Sequence, residues 1–237
     1  MKGNIISMRI ISGKARGTKL YTLEGNATRP TLDRVKESVF NILHNDIENS
    51  TVLDLFSGSG AIGLEFLSRG AKRAVLCDNS KDAIKIIKQN VQKTHFEEIA
   101  EVYNIEFTKL IEKLQNQKFD IIYIDPPYAT DFIKISIEMI IEYKLVNENT
   151  KIIVETDDET RILNQIEKIN NFDLGSVKKI LILIVSPEDN ISGGIMSFYG
   201  IYKLSKELDF IHGRKVVAAT MPGYGTHTGF TMFKNDM

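Results

Sequence analysis

An α/β fold, with a mostly parallel sheet wound by helices on both faces, is predicted by three observations. Apolar runs of strand length alternate with helix-period segments from Val52 to about residue 169. The stretch Val52 to Gly63 passes from such a run through Gly58 and Gly60 into a helical pattern. Asp54, Asp78, Asn104 and Asp125 fall at the carboxyl ends of four successive predicted strands, where open α/β sheets gather their ligands. The 237 residues, 43% hydrophobic and 26% charged, suit one domain of this kind, or one domain with an appendage.

Composition narrows the function. A net charge of -1 advertises no polyanion, so nucleic-acid binding would have to come from local clustering. No apolar run approaches the ~20 residues of a membrane span, and no signal-peptide core opens the chain, so a cytoplasmic protein is expected. Cys77, the single cysteine, sits in an apolar run and reads as a buried structural thiol. His44, His95, His212 and His227 lack companions at metal-ligand spacing, and no metal is expected.

In chain order, residues 1–7 read as a leader before Met8. Arg9, Lys14, Arg16 and Lys19 then form a basic patch without acids, broken by Gly13 and Gly17 in a strand–turn–strand rhythm. It suits phosphate, or simply a solvated hairpin. Pro30 stops the next segment, and Thr31 caps a helix whose apolar face is Leu32, Val35, Val39 and Ile42. After the glycine loop a helix ends at Gly70, and a strand from Arg73 to Cys77 leads to Asp78. Helix Ser80–Gln92 and a strand closed by Asn104 follow. Strand Phe119–Ile124 runs into Asp125-Pro126-Pro127-Tyr128. A helix from about Asp131 to Tyr143, strand Lys151–Glu155 and a helix from Glu159 to Ile169 complete the alternation.

The chemistry lies at the strand ends. Gly58 and Gly60 let the backbone turn tightly toward a ligand, and Gly63 permits close packing of helix on strand. By itself such a loop is also found in ordinary strand-to-helix turns. Asp54 beside it would repel a pyrophosphate but suits an ammonium group, which favours S-adenosylmethionine over a dinucleotide. Asp78 stands twenty residues beyond Gly58, near the ~20-residue offset at which an acid meets ribose hydroxyls. Asn104 could bond an adenine edge or serve as a plain turn asparagine. In Asp125-Pro126-Pro127-Tyr128 the stiff prolines leave the Asp125 carboxylate and the Pro126 carbonyl as acceptors beside an aromatic ring, which fits a stacked base with an exocyclic amine.

Met8-Arg9-Ile10-Ile11-Ser12-Gly13, Arg29-Pro30-Thr31-Leu32-Asp33-Arg34-Val35, the loop Asp54–Gly63 and Asp125-Pro126-Pro127-Tyr128, in this order, resemble the bacterial small-subunit ribosomal RNA guanine-N2 methyltransferases from Met8 to about residue 178. The resemblance implies a class I methyltransferase fold, Rossmann-like with a mostly parallel seven-stranded sheet and an N-terminal β-hairpin extension. It implies S-adenosylmethionine as donor and N2 of a guanine in 16S rRNA, within the small ribosomal subunit, as acceptor. Carried over by motif, Asp54, Phe56, Ser57, Gly58, Gly60, Asp78, Asn79, Asn104 and Thr31 would hold the cofactor. Asp125, Pro126, Pro127 and Tyr128 would hold the guanine. Arg9, Lys14, Arg16 and Lys19, with Arg29 and Arg34, would meet RNA. A monomer is expected, divided into a basic hairpin (1–30), a methyltransferase domain (31–185) and an atypical tail (186–237).

That tail departs from the family pattern. Val185 to Gly194 followed by an amphipathic stretch to Leu208 reads as a strand, glycine turn and helix, in a foreign or frameshifted segment. Alternatively, Ile195–Tyr199 supplies a last strand. Three rival functions fit less well: a DNA adenine N6 methyltransferase, for which no DNA-recognition domain is evident; a catalytically silent RNA-binding or assembly factor, which would not need Asp125 and Tyr128; and a dehydrogenase, disfavoured by Asp54.

Overall fold

A computed structural model describes residues 8–23, 36–37, 39–127, 130–156, 161, 179–186, 195–205 and 215–219. Its sheet contains eight strands in the order β3-β2-β1-β4-β5-β6-β7-β8. They are β1 (Thr51–Asp54), β2 (Arg73–Asp78), β3 (Ala100–Asn104), β4 (Phe119–Ile124), β5 (Val146–Glu155), β6 (Lys179–Ser186), β7 (Ile195–Ser205) and β8 (Lys215–Ala219). Neighbours from β3 through to β6 pair in parallel, and β7 and β8 add antiparallel strands.

Two expectations are corrected here. Among the described residues the sheet has eight strands rather than the expected seven. The stretch after Gly194, read as an amphipathic helix to Leu208, is strand over Ile195–Ser205. β-branched and aromatic residues crowd that stretch (Ile195, Phe198, Tyr199, Ile201, Tyr202), and they pack on a pleated surface better than on a helix. The alternative, Ile195–Tyr199 as a strand, agrees with the backbone, and β7 continues the sheet beside β6.

The helices are α1 (His44–Ile47), α2 (Ala61–Ser68), α3 (Lys81–Thr94), α4 (Phe107–Lys113) and α5 (Phe132–Glu142). Residues 36–37 and 39–42 are also helical and lead into α1. The periodicity did not reveal α4, because it spans only seven residues and no side chain caps its start at Glu106. The helix expected from Glu159 lies outside the described residues except for Arg161, which is helical.

Alternation along the strands divides the core in two. Val52, Ala74, Leu76, Ile121, Tyr123 and Ile153 face a cluster built with Phe40, Leu43, Leu64, Phe66, Ile87 and Val91, from α2, α3 and the N-terminal helical segment. Leu53, Val75, Cys77, Ile122, Ile124, Ile152 and Val154 face Leu110, Ile111, Ile137 and Ile140 on α4 and α5. Both faces are therefore covered, which is why β1, β2 and β4 read as nearly continuous apolar runs. Cys77 is buried, and burial with nearby acids pushes its thiol up to about 12, as suits a structural residue.

The basic N-terminal segment is docked against the first of these clusters. Arg9 and Lys19 form an antiparallel bridge, Ile10 and Leu20 are buried, and Arg9, Lys14, Arg16 and Lys19 are exposed. The anchor is Glu65 of α2, fully buried, whose carboxylate accepts the Ile11 (2.7 Å) and Ser12 (3.0 Å) backbone N–H groups and pairs with Arg69. Ser68 accepts the Lys14 N–H on its carbonyl (2.7 Å) and the Ala15 N–H on its hydroxyl (3.0 Å). Gly13 sits at φ +82, where an added Cβ would lie 1.8 Å from the Ser68 carbonyl oxygen.

Candidate active site

The glycine loop leaves β1 with a fixed set of bonds. Ser57 donates its hydroxyl to the Asp54 carbonyl (2.9 Å), accepts the Cys77 N–H on the same oxygen (3.0 Å), and donates its backbone N–H to the Cys77 carbonyl (2.8 Å). It thus pins the loop to both strands. Gly58 and Gly60 adopt φ +55 and +79, the left-handed region that favours glycine. An added Cβ on Gly63 would lie 2.0 Å from the Leu76 side chain, so α2 packs on β2 only because that side chain is absent.

Asp54 is 2% exposed and lies beneath this loop, accepting the Gly63 N–H at 3.2 Å. Burial raises its carboxyl to about 7, with hydrogen bonds from Gly63 and Ser57 opposing and Asp78 adding repulsion. The folded chain therefore holds a proton here that the unfolded chain loses near 3.8. Stability from this group is full below 3.8, falls as pH rises through that interval, and levels off above about 7. The rise corresponds to at most about 4 kcal/mol. Thermal unfolding at pH 5 and pH 8 is expected to show Asp54→Asn losing less stability over this interval than the parent chain.

Asp78 closes the cradle from β2. Its Oδ2 accepts the Gly58 N–H (3.0 Å) and its Oδ1 the Ser80 N–H (2.8 Å). Each oxygen keeps a lone pair, which suits a pair of vicinal hydroxyls. Asn104, level with Asp78 in the register, donates its amide to the Asp78 (3.1 Å) and Asn79 (3.0 Å) carbonyls, which leaves Oδ1 for a donor such as an exocyclic amine. Asn79 is exposed and donates to Glu106 at 3.0 Å. Phe56 stacks 6.2 Å from Phe132 at 4°, with Phe107 packed against both rings. An open glycine turn, a two-oxygen acid and an aromatic wall fit a nucleoside cofactor, and the space at Gly58, where an added Cβ would meet nothing within 4 Å, is open to it.

Asp125 continues β4 on the other side of β1. It is half-buried, and among the described residues no hydrogen-bond donor holds its carboxyl. Burial first, then Glu155 and Asp54, push it well above the usual carboxylate range. Pro126 is buried and Pro127 exposed, and the Pro127 carbonyl accepts the Thr130 hydroxyl at 3.0 Å. Tyr128, Thr31, Arg29 and Arg34 lie outside the described residues. Among the described residues no group of acids, histidines or cysteines is arranged to hold a metal ion, and no helix is long and apolar enough to cross a membrane.

Sequence reasoning missed three polar residues at this site, Asn90, Glu106 and Glu155, and also Glu65, which anchors the N-terminal segment. Asn90 of α3 is fully buried. It accepts the Tyr21 N–H (2.8 Å) and donates to the carbonyls of Tyr21 (3.0 Å) and Ser59 (2.9 Å), so it joins the N-terminal segment to the glycine loop. The available signal was a polar residue on the apolar side of a helix, as at Glu65 between Leu64 and Phe66.

A nucleoside cradle across β1 and β2, beside an acid–proline turn after β4 in a parallel sheet, defines the class I S-adenosylmethionine-dependent methyltransferase fold. Residues 8–183 match the family described as conserved hypothetical protein 95, and the chain belongs to that family. It is similar to ribosomal RNA small subunit methyltransferase D of Haemophilus influenzae, 37% identical over 158 residues that span 66% of this chain and 82% of the relative. The Escherichia coli protein of the same name is 32% identical over 152 residues, 64% of this chain and 76% of the relative. Among solved structures, the candidate methyltransferase yhhF of Escherichia coli aligns with a TM-score of 0.56 at 27% identity, covering 78% of this chain and 84% of its own.

Proposed function

We propose that this protein transfers the methyl group of S-adenosylmethionine to the exocyclic N2 amine of a guanine in 16S ribosomal RNA. The observation that carries the reading is the placement of the Gly58–Asp78 cradle, at the ends of β1 and β2, beside the Asp125-Pro126-Pro127 turn at the end of β4, the parallel neighbour of β1. A donor in the cradle and a planar base at the turn would meet over the end of β1. The relatives named for small-subunit RNA methylation support the choice of acceptor.

In this reading Asp78 binds the ribose hydroxyls, Asn104 the adenine edge, and Asn79 with Thr31 completes the cofactor contacts. Phe56 supplies an apolar wall. Asp54, Ser57, Gly58 and Gly60 act by shaping the loop. The bound cofactor supplies an electrophilic methyl group on a sulfonium. Asp125 and the Pro126 carbonyl accept the hydrogens of the amine so that its lone pair points along the line of attack, and Pro127 and Tyr128 fix the plane of the base. Catalysis then rests on orientation and on electrostatics that favour positive charge developing at nitrogen. The exposed Arg9, Lys14, Arg16 and Lys19, with Arg29 and Arg34, contact RNA phosphates. The protein acts as a cytoplasmic monomer on the assembled small subunit, with residues 31–185 as its methyltransferase domain and residues 1–30 as its RNA-facing hairpin.

The test is transfer of labelled methyl groups to small subunits, to naked 16S rRNA and to duplex DNA, followed by nucleoside digestion. Label in N2-methylguanosine is expected. Label confined to N6-methyladenine would replace the proposed acceptor, and cofactor binding without transfer to any substrate would make the chain a silent binder.

A further inference from the structure

Glu155 is the last residue of β5 and is 4% exposed. The run before it, Ile152-Ile153-Val154, is apolar and fully buried. A buried carboxylate costs several kcal/mol unless it is paired, and this one has a hydrogen-bond donor and a cation on its side. The Tyr123 hydroxyl donates to its Oε2 at 2.7 Å. The Lys36 ammonium, on a residue 5% exposed, faces it from the N-terminal helical segment and favours its ionised form.

The strand register brings this group to Asp125. Tyr123 is level with Ile153 and Ile124 with Val154, so Asp125 and Glu155 follow in step on neighbouring strands. Asp54, level with Tyr123 on β1, is the third acid of the group. Among the described residues the charged and titratable groups that face Glu155 are thus Tyr123 and Asp125 from β4 and Lys36 from the N-terminal helical segment, while Asp54 from β1 faces Tyr123 and Asp125. Burial pushes Glu155 above the usual carboxylate range, while the Tyr123 hydrogen bond and the Lys36 charge oppose it and favour its anion. No donor among the described residues does so for Asp125, which meets only repulsion from Glu155 and Asp54.

We propose that Glu155, hydrogen-bonded by Tyr123 and level with Asp125 on the neighbouring strand, is a positioning residue that acts through Asp125, keeping it a carboxylic acid until a cationic ligand reaches the strand ends and lets it ionise. The inference rests on the reading of the cradle as a site for a sulfonium cofactor. Asp125 then releases its proton to solvent on binding and becomes the acceptor that the amine requires. During transfer the N–C bond forms as the S–C bond breaks, and the bonding pair stays on sulfur. Asp125 takes the proton that the methylated amine sheds. The thioether left behind is neutral, so Asp125 remains an acid and the site returns to its starting charge.

The experiment is calorimetric titration of the full chain with S-adenosylmethionine and with S-adenosylhomocysteine, each in two buffers of different ionisation enthalpy, without RNA. Asp54 titrates near 7, so the measurement is made at pH 8, where it is already mostly ionised. Release of about half a proton or more is expected with the sulfonium ligand, and at least about threefold less with the neutral thioether. Glu155→Gln should shrink the difference between the two ligands while both still bind, because Asp125 then loses the repulsion of one of its two acidic neighbours and ionises more readily before the ligand arrives. Equal release for both ligands in the parent chain overturns the proposal without any variant, and so does a Glu155→Gln chain that keeps the parental difference. Binding with no proton release refutes the coupling alone, whereas absence of binding refutes the cofactor reading beneath it.

Discussion

Asp125→Asn is expected to lower kcat for methyl transfer about a thousandfold, the scale on which a preorganised electrostatic contact at a reacting group acts. S-adenosylmethionine affinity should fall far less, by about tenfold at most, since the cradle holds the nucleoside and Asp125 adds only its charge to the bound sulfonium before the transition state is reached. Asparagine keeps the shape of the side chain and an acceptor oxygen, but it cannot ionise or take up a proton. Asp125 is suited to this role because it lies outside the bonds that build the site. The cradle is held by Ser57, Asp54 and Asp78, so the substitution leaves the cofactor loop intact. Single-turnover rates together with cofactor affinity test the claim. A variant within tenfold of the parental rate would remove Asp125 from the chemistry.

Gly13→Ala has the second large expected effect, and it acts on the N-terminal segment. The new Cβ would stand 1.8 Å from the Ser68 carbonyl oxygen and 2.2 Å from its carbon, at φ +82. Backbone cannot yield as a side-chain tip can, so the segment must leave α2. The clash and the left-handed strain together cost about 2–5 kcal/mol. Gly17→Ala is the internal control, because it shares φ +82 but its Cβ would meet nothing within 4 Å. It should cost only about 1–2 kcal/mol. If the basic segment presents RNA, Gly13→Ala loses transfer to small subunits while cofactor binding persists, and Gly17→Ala keeps both. Equal loss of transfer in the two variants would contradict a role for the docked geometry.

The parts of the fold legible in the sequence were those governed by local physics. Apolar runs at β1, β2 and β4, the Ser80 cap of α3 and the glycine turn all leave a signature within a few residues. Even at the tail, β-branched and aromatic content was a better guide to β7 than the glycine turn that precedes it. The long-range partners were not legible. Glu65 meets Ile11 across 54 residues, Asn90 meets Tyr21 across 69, and Tyr123 meets Glu155 across 32. Nothing in the local pattern distinguishes such a buried polar residue from a solvated one until the topology brings its partner to it. The Asp54 carboxylate, which accepts the Gly63 N–H beneath the loop, shows a bond that the residue pattern alone did not announce.

Asn90 links segments that are remote along the chain, and this affects local unfolding. Its amide is shared between Tyr21 and Ser59, and the Ser59 hydroxyl also reaches Met8 at 3.4 Å. Neither the N-terminal segment nor the glycine turn can open without leaving a buried amide unsatisfied, at a cost of about 1–3 kcal/mol. The two therefore belong to one cooperative unit. Their amide protons should exchange with solvent through a common opening event, although one segment faces the surrounding medium and the other borders the site.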